Sequence, residues 1–369
     1  MSYRAPNEQE AGERSWEVVR AAYESREPVA WPRRHARPLI AGALVAAVVA
    51  AALSPPGRSV VRSFRKAVGV EHAQPALFSV PTPGQLLVTS RSGAWVVQRD
   101  GSKRLLGHYR DAVFSPHGLF IAATHANELV ALDPKGHVHW TLARPSPRFP
   151  AWAGTRTDTR IAYVSRGRVR VVAGDGAGDR AVAPAALVPP AWRPGAGRVL
   201  AYAPTPRTVA VVNIDSGTTL LRLGSSEAIR KLEWSDNGRL LLVFTPHATR
   251  VYDPRGHIVT QDDPSDAMLD IDAAFQPGTE RVAVVRIPPS GISGSSDVFF
   301  LRTGRRLFNV TGAFRQLAWS PNGRWALVTW PTANQWIFVR EGRRKIIGVS
   351  RISTQFGGLP RVADWCCAS

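Results

Sequence analysis

Apolar residues in this chain come in short runs, each opened by an aromatic residue and a small polar turn. The pattern is sharpest in FSPHGLFIAAT from Phe114, WSDNGRLLLVF from Trp234 and WSPNGRWALVT from Trp319. Looser copies read FSVPTPGQLLVT from Phe78, WAGTRTDTRIAYV from Trp152, WRPGAGRVLAYA from Trp192 and FQPGTERVAVV from Phe275. Asp364-Trp365 stands as a truncated eighth anchor. Successive anchors lie 36, 38, 40, 42, 41, 44 and 46 residues apart, a mean of 41. Runs this short, bounded by Gly and Pro, predict strands.

A second marker sits at a similar offset inside each unit. Asp100-Gly101, Asp133 to Gly136, Asp175-Gly176, Asp215 to Gly217, Asp253 to Gly256, Thr303-Gly304 and Glu341-Gly342 each separate two apolar segments. Glycine permits the positive φ of a tight hairpin, and Asp can accept hydrogen bonds from the turn backbone. Each unit therefore predicts about four strands, and a period near 41 of this kind is the signature of a β-propeller blade. The expected fold is all-β, a seven-bladed propeller, with six blades and one irregular unit as the alternative. The aromatic anchors are expected to fill the wedges between blades. The last anchor, Trp365, matches the first, Phe78, so the final strand is expected to pair beside the first blade and close the ring, which removes exposed edges.

At WSPNGRW and FSPHG the chain resembles the WD-like and TolB-like propeller repeats of bacterial envelope proteins, whose consensus is close to W-S-P-D-G-[KR]. The resemblance covers roughly residues 75–369. It implies a propeller and often a place in the cell envelope, and it implies no particular activity.

Composition adds an address. The 44% hydrophobic and 20% charged residues exclude wholesale disorder. Residues 39–53, LIAGALVAAVVAAAL, carry no charge and would span about 22 Å as a helix. An uncleaved single-pass anchor over 38–54 is the favoured reading, with a cleaved signal peptide and a buried soluble helix as competitors. Arg33, Arg34 and Arg37 crowd its N-terminal boundary, which predicts an N-terminus in the cytoplasm, a propeller outside it, and residence in the cytoplasmic (inner) membrane. The expected organisation is a cytosolic tail over 1–37, the anchor, a basic juxtamembrane linker over 55–74 and the propeller over 75–369. In the tail, Trp16, Val19 and Tyr23 fall on one face of a short amphipathic helix.

Lys and Arg number 47 against 28 Asp and Glu, a net charge of +19. Beyond the anchor the balance is 40 basic against 22 acidic, a field that attracts anionic lipid head groups or wall polymers. The charge is spread among strands, with only Arg340, Arg343, Arg344, Lys345 and Arg351 clustered. Nucleic acid is therefore not the expected partner.

Catalytic signals are weak throughout. Gly291-Ile292-Ser293-Gly294 is followed by Ser295 where a nucleophile elbow needs Gly. His137 and His139 share a strand face, and His117 and His257 sit at turns, which reads as polar decoration of hairpins. The acidic run Asp262, Asp263, Asp266, Asp270 and Asp272 lacks calcium-loop spacing and reads as a solvated loop or a counter-charge to nearby Arg. Cys366 and Cys367 are the only cysteines, which excludes a disulfide framework and reads as packing in the closing strand. No enzyme activity, cofactor or metal is expected, and no binding residue is assigned. The expected function is binding or scaffolding of a protein or an envelope polymer on a propeller face. The alternative is transmembrane signalling, in which the tail holds a cytosolic regulator.

Overall fold

Strands too short to form a core alone are stabilised by pairing with their sequence neighbours, and the repeat does this seven times. The computed structural model describes residues 72–74, 79–154, 158–195, 198–264, 268–288, 294–343 and 345–367. Seven sheets, six of four strands and one of five, each with four antiparallel strands, are built almost entirely from consecutive strands. Their innermost strands are Asp111–Phe114, Arg148–Gly154, Ala191–Trp192, Lys231–Trp234, Leu269–Phe275, Gln316–Trp319 and Arg361–Cys366. Each touches the next around a ring, and the last touches the first. We number the blades one to seven from the sheet that contains Gln85–Ser90.

The closing strand is the one exception to local order. Arg361–Cys366 pairs antiparallel with Gln85–Ser90, setting Trp365 opposite Leu86 and Asp364 opposite Leu87. Blade one is thus built from both ends of the propeller, as the match between the first and last anchors predicts. Seven blades replace the six-bladed alternative. A short strand, His72–Gln74, adds in parallel to the outer edge of blade seven beside Ile346–Ser350.

Among the described residues the anchor aromatics pack against the preceding blade. Phe114 joins Leu87 and Val96 of blade one, Phe275 joins Leu242 and Val251 of blade five, and Trp319 stacks on Phe300 of blade six at 6.0 Å. Trp365 meets Phe338 of blade seven edge-on at 5.8 Å. Among the described residues the indole N–H groups of Trp152, Trp234, Trp319 and Trp365 find no acceptor. These anchors are selected by volume and shape, since a wedge-shaped gap needs a wide side chain more than a polar contact.

The polar turn after the anchor has its own mechanism. In blades two, five and seven the N–H of Gly118, Gly238 and Gly323 donates to the carbonyl of Ser115, Ser235 and Ser320, each at 2.8 Å. The same serines accept the N–H of Phe120, Leu240 and Trp325 on Oγ at 2.9–3.0 Å. Gly323 has φ +64°, and a Cβ there would lie 2.4 Å from the carbonyl oxygen of Pro277 in the neighbouring blade. Gly323→Ala is expected to cost about 2 kcal/mol, from left-handed strain plus that collision. Urea denaturation tests this, and a change under about 0.5 kcal/mol would show that the turn relaxes freely.

The outer hairpins follow the second marker. Asp100, Asp133, Asp175 and Asp253 accept turn N–H groups at 2.8–2.9 Å. Asp215 departs from the expectation: Asn213 caps that turn, and Asp215 instead pairs with Arg160 and Arg198. The tail, the apolar segment 39–53 and residues 55–71 lie outside the described residues. Among the described residues no helix is long and apolar enough to cross a membrane.

Candidate functional site: the central channel and its mouth

A propeller's innermost strands have no ladder partner on the side facing the axis, so their backbone N–H groups need other acceptors. Here side chains from the adjacent blade supply them. Asp364 Oδ2 accepts the N–H of Phe114 at 3.0 Å, and Asp111 Oδ2 accepts that of Phe149 at 3.2 Å. Glu233 accepts from Phe275 at 2.9 Å, Asp272 from Leu317 at 3.0 Å and Gln316 from Val362 at 3.1 Å. Five of the seven blade junctions are therefore bridged by a carboxylate or amide of one inner strand and the backbone of the next. At blade four the bridging groups change: the Trp192 indole donates to Ala151 at 3.0 Å, and Arg193 donates to Gly238 at 2.7 Å.

Arg148 pairs with one of these acids, Asp111, at 2.7 Å, and a lysine sits between two others. Lys231 Nζ lies 3.1 Å from Glu233 and 3.2 Å from Asp272, and donates to the Ala273 carbonyl at 2.7 Å. Desolvation pulls the Lys231 pKa down, but the two carboxylates outweigh it and hold the ammonium charged. Burial raises the Glu233 pKa, and Lys231 only partly offsets the shift. Among the described residues no cation pairs with Asp364. Burial pushes its pKa up to about 6, against the opposing pull of the Phe114 and Trp365 N–H groups.

That shift fixes a sign for stability. Between about pH 4 and 6 the folded chain holds a proton on Asp364 that the unfolded chain has lost, so stability falls as pH rises through this window. The full contribution is about 2–3 kcal/mol. Asp364→Asn keeps an acceptor for the Phe114 N–H and is expected to remove this slope. Parallel slopes for Asp364→Asn and the parent in pH-dependent denaturation would refute the assignment.

The channel widens into a cavity of about 790 Å³ on the side of blades five, six, seven and one. Arg230, Arg315 and Arg361 line it above Lys231, Asp272 and Asp364. A second cavity of about 700 Å³ lies between blades two and three, where Phe120 stacks on Trp152 at 6.3 Å and meets His139 edge-on at 5.0 Å.

No known protein family matches the sequence, and no curated protein matches it. Solved structures do match in shape. The C-terminal WD40 domain of Sif2 superposes with a TM-score of 0.55 at 14% identity, over 74% of this chain and 84% of that one. Hsv2 of Kluyvelomyces marxianus gives 0.52 at 10% identity over 72% and 93%. A chain of the mitotic checkpoint complex gives 0.50 at 15% identity over 65% and 76%. The fold is a WD40-like seven-bladed propeller. Identities this low establish the architecture and leave the activity to this chain's own residues.

In this WD40-like propeller the residues singled out from sequence are dispersed. In the acidic run, Asp270 is 1% exposed and takes Arg286 Nε at 2.7 Å, with Thr249 at 2.9 Å; Asp262 also pairs with Arg286, and Asp263 with Arg250. The counter-charge reading is the correct one for these carboxylates, while Asp266 lies outside the described residues. His137 is three-quarters exposed and pairs with Asp133, and His257 pairs with Asp253 in the equivalent hairpin. Arg340 lies 5.9 Å over the Trp325 ring, so part of the blade-seven basic cluster is a packing element. Cys366 and Cys367, expected as packing residues, are joined in a vicinal disulfide. Cys367 turns back at φ +62°, while Cys366 still packs on the blade-two core.

A recurrent arginine position, three of whose members line the mouth, is hidden along the chain. Arg110, Arg148, Arg230, Arg315 and Arg361 each stand four residues before an anchor: Phe114, Trp152, Trp234, Trp319 and Trp365. Aligning the units on their aromatics exposes this column, which a search for clusters along the chain cannot find.

Proposed function

We propose that this protein is a non-catalytic binding or scaffolding propeller, held at the outer face of the cytoplasmic membrane by the apolar segment 39–53. What carries the reading is the use to which the channel acids are put. Glu233, Asp272, Gln316, Asp364 and Asp111, the polar groups that converge on the axis, are spent on bridging neighbouring blades. A general acid or base needs freedom to exchange a proton with a substrate, and groups locked to backbone N–H donors are poorly suited to it. A rigid ring with open cavities at its faces is suited to holding a partner by complementarity, and propellers of similar shape bind protein partners. The N-terminal anchor rests on the sequence pattern of Arg33, Arg34 and Arg37 before the uncharged run.

Crosslinking and co-purification from native membranes tests the proposal, comparing the full chain with one whose residues 1–37 are replaced by a neutral leader. Partners are expected to persist without the native tail. Their loss with the tail would shift the function to transmembrane signalling, with the tail around Trp16, Val19 and Tyr23 as the regulator's docking site. Recovery of the propeller from the soluble cytosol would overturn the anchored topology.

A further inference from the structure

We propose that the arginine-rimmed mouth of the channel binds a compact ligand carrying clustered phosphate groups. The assignment rests on the binding reading above and gives it a site and a ligand class.

The arginines recur by register. Arg110, Arg230 and Arg315 donate their backbone N–H to the carbonyls of Thr124, Phe244 and Thr329 at 2.8, 2.9 and 3.0 Å, the same contact in three blades. Arg361 opens the closing strand opposite Thr89, and Arg148 opens the inner strand of blade three. The inter-blade bridges join near-equivalent positions of adjacent inner strands, so those strands run side by side in one direction. An equal repeat position therefore means an equal height on the ring. Five of seven blades place an arginine at this repeat position, and three of them, Arg230, Arg315 and Arg361, line the mouth of the cavity.

Their electrostatic state differs from that of the arginines buried between strands or paired across hairpins. Arg286, Arg170 and Arg144 are neutralised by carboxylates, and Arg281 and Arg305 stack on Phe300. Arg110, Arg230, Arg315 and Arg361 are exposed, and among the described residues no carboxylate pairs with them. Only Arg148 is paired, with Asp111 at 2.7 Å. Lower in the wall Lys231 holds Glu233 and Asp272, and backbone N–H groups hold Asp364, so the four cations lining this cavity still outnumber its three acids. Like charges gathered around one opening repel one another, and an anion seated among them relieves that repulsion.

Size and surface chemistry select the ligand class. A cavity of about 790 Å³ is in the range of small-molecule sites. Protein interfaces concentrate their energy in buried aromatic anchors, whereas among the described residues the large exposed apolar residue at this mouth is a single leucine, Leu359. Guanidinium forks pair two oxygens at a time with phosphate, and several phosphates on one small body engage several arginines together.

The test is a calorimetric titration of the full chain with inorganic tripolyphosphate, and in parallel with citrate, at low and high salt. Saturable binding of one tripolyphosphate per chain is expected, weaker at high salt. Arg315→Gln with Arg361→Gln is expected to weaken it at least tenfold with unchanged thermal unfolding. The control pair Arg222→Gln with Arg302→Gln, on an outer strand and an outer turn, is expected to leave it unchanged. Equal losses in the two double variants would reduce the effect to bulk charge and overturn the site. Citrate binding as tight as tripolyphosphate would overturn the phosphate assignment, as would no saturable binding. In either case, partners still recovered by crosslinking leave the binding reading standing, and loss of both removes it.

Discussion

Deleting residues 360–369 is expected to abolish cooperative folding of the propeller. The deletion removes the whole innermost strand of blade one, including its five residue pairings with Gln85–Ser90. Trp365 leaves the blade-seven wedge, where it packs with Phe338, Leu327 and Val97, and Val362 leaves with it. Loss of a buried Trp alone costs about 3–5 kcal/mol. Added to it are the Asp364 bridge to blade two, the Gln316 bridge from blade seven and the newly bare inner edge of Gln85–Ser90. The total approaches the whole stability of an ordinary domain, about 5–15 kcal/mol. Thermal unfolding followed by near-ultraviolet circular dichroism is expected to show a broad, weak transition, with aggregation through the open edge. A sharp transition within a few degrees of the parent would mean that six blades and three strands are self-sufficient, and that closure contributes little.

Lys231→Met is expected to be the most damaging single substitution in the channel. It keeps the length and packing of the side chain while leaving Glu233 and Asp272 facing each other without a counter-charge. Removing one partner of a buried ion pair costs about 3–5 kcal/mol. Lys231 and Glu233 retain some water contact through the channel, at 30% and 28% side-chain exposure, which favours the lower end, about 3 kcal/mol. The pH dependence has a definite sign. Glu233 already has a folded pKa above its unfolded value, so taking up a proton favours the folded state as pH falls. The deficit of Lys231→Met is therefore expected to be smaller at pH 5 than at pH 8. Adding Glu233→Gln, which retains an acceptor for the Phe275 N–H, is expected to recover part of the loss at pH 8. A deficit independent of pH and unrescued by Glu233→Gln would mean that Lys231 acts through packing alone.

Both predictions concern the blade junctions, where reading the chain in one dimension was least informative. The anchors were legible because a propeller repeats one local solution, and each copy leaves the same aromatic at the same interval. The hairpins were legible because Gly and Asp have local conformational roles, though Asn213 displaced Asp215 where both were within reach of one turn. The channel acids were not legible as a set. Glu233, Asp272, Gln316, Asp364 and Asp111 are far apart in sequence, differ in type, and occupy two positions relative to the anchor. What unites them is the neighbouring blade's unpaired backbone, which exists only once the ring has formed. The arginine column was present in the sequence, but a +19 chain rich in arginine hides it until the units are aligned on their aromatics.

The sequence by itself determined the strands, the repeat period, the wedge-filling role of the anchors and the use of the last strand to close the ring. These depend on local propensity and on a period, both of which are written along the chain. The tertiary structure decided which polar groups are structural and which are free. It drew Asp270 into a buried pair with Arg286 and joined Cys366 to Cys367. It committed the channel acids to the backbone and left Arg230, Arg315 and Arg361 together at one mouth. The physical reason is that an ionisable side chain is defined by its partners. In a ring of seven sheets those partners come from the next blade, some forty residues away along the chain.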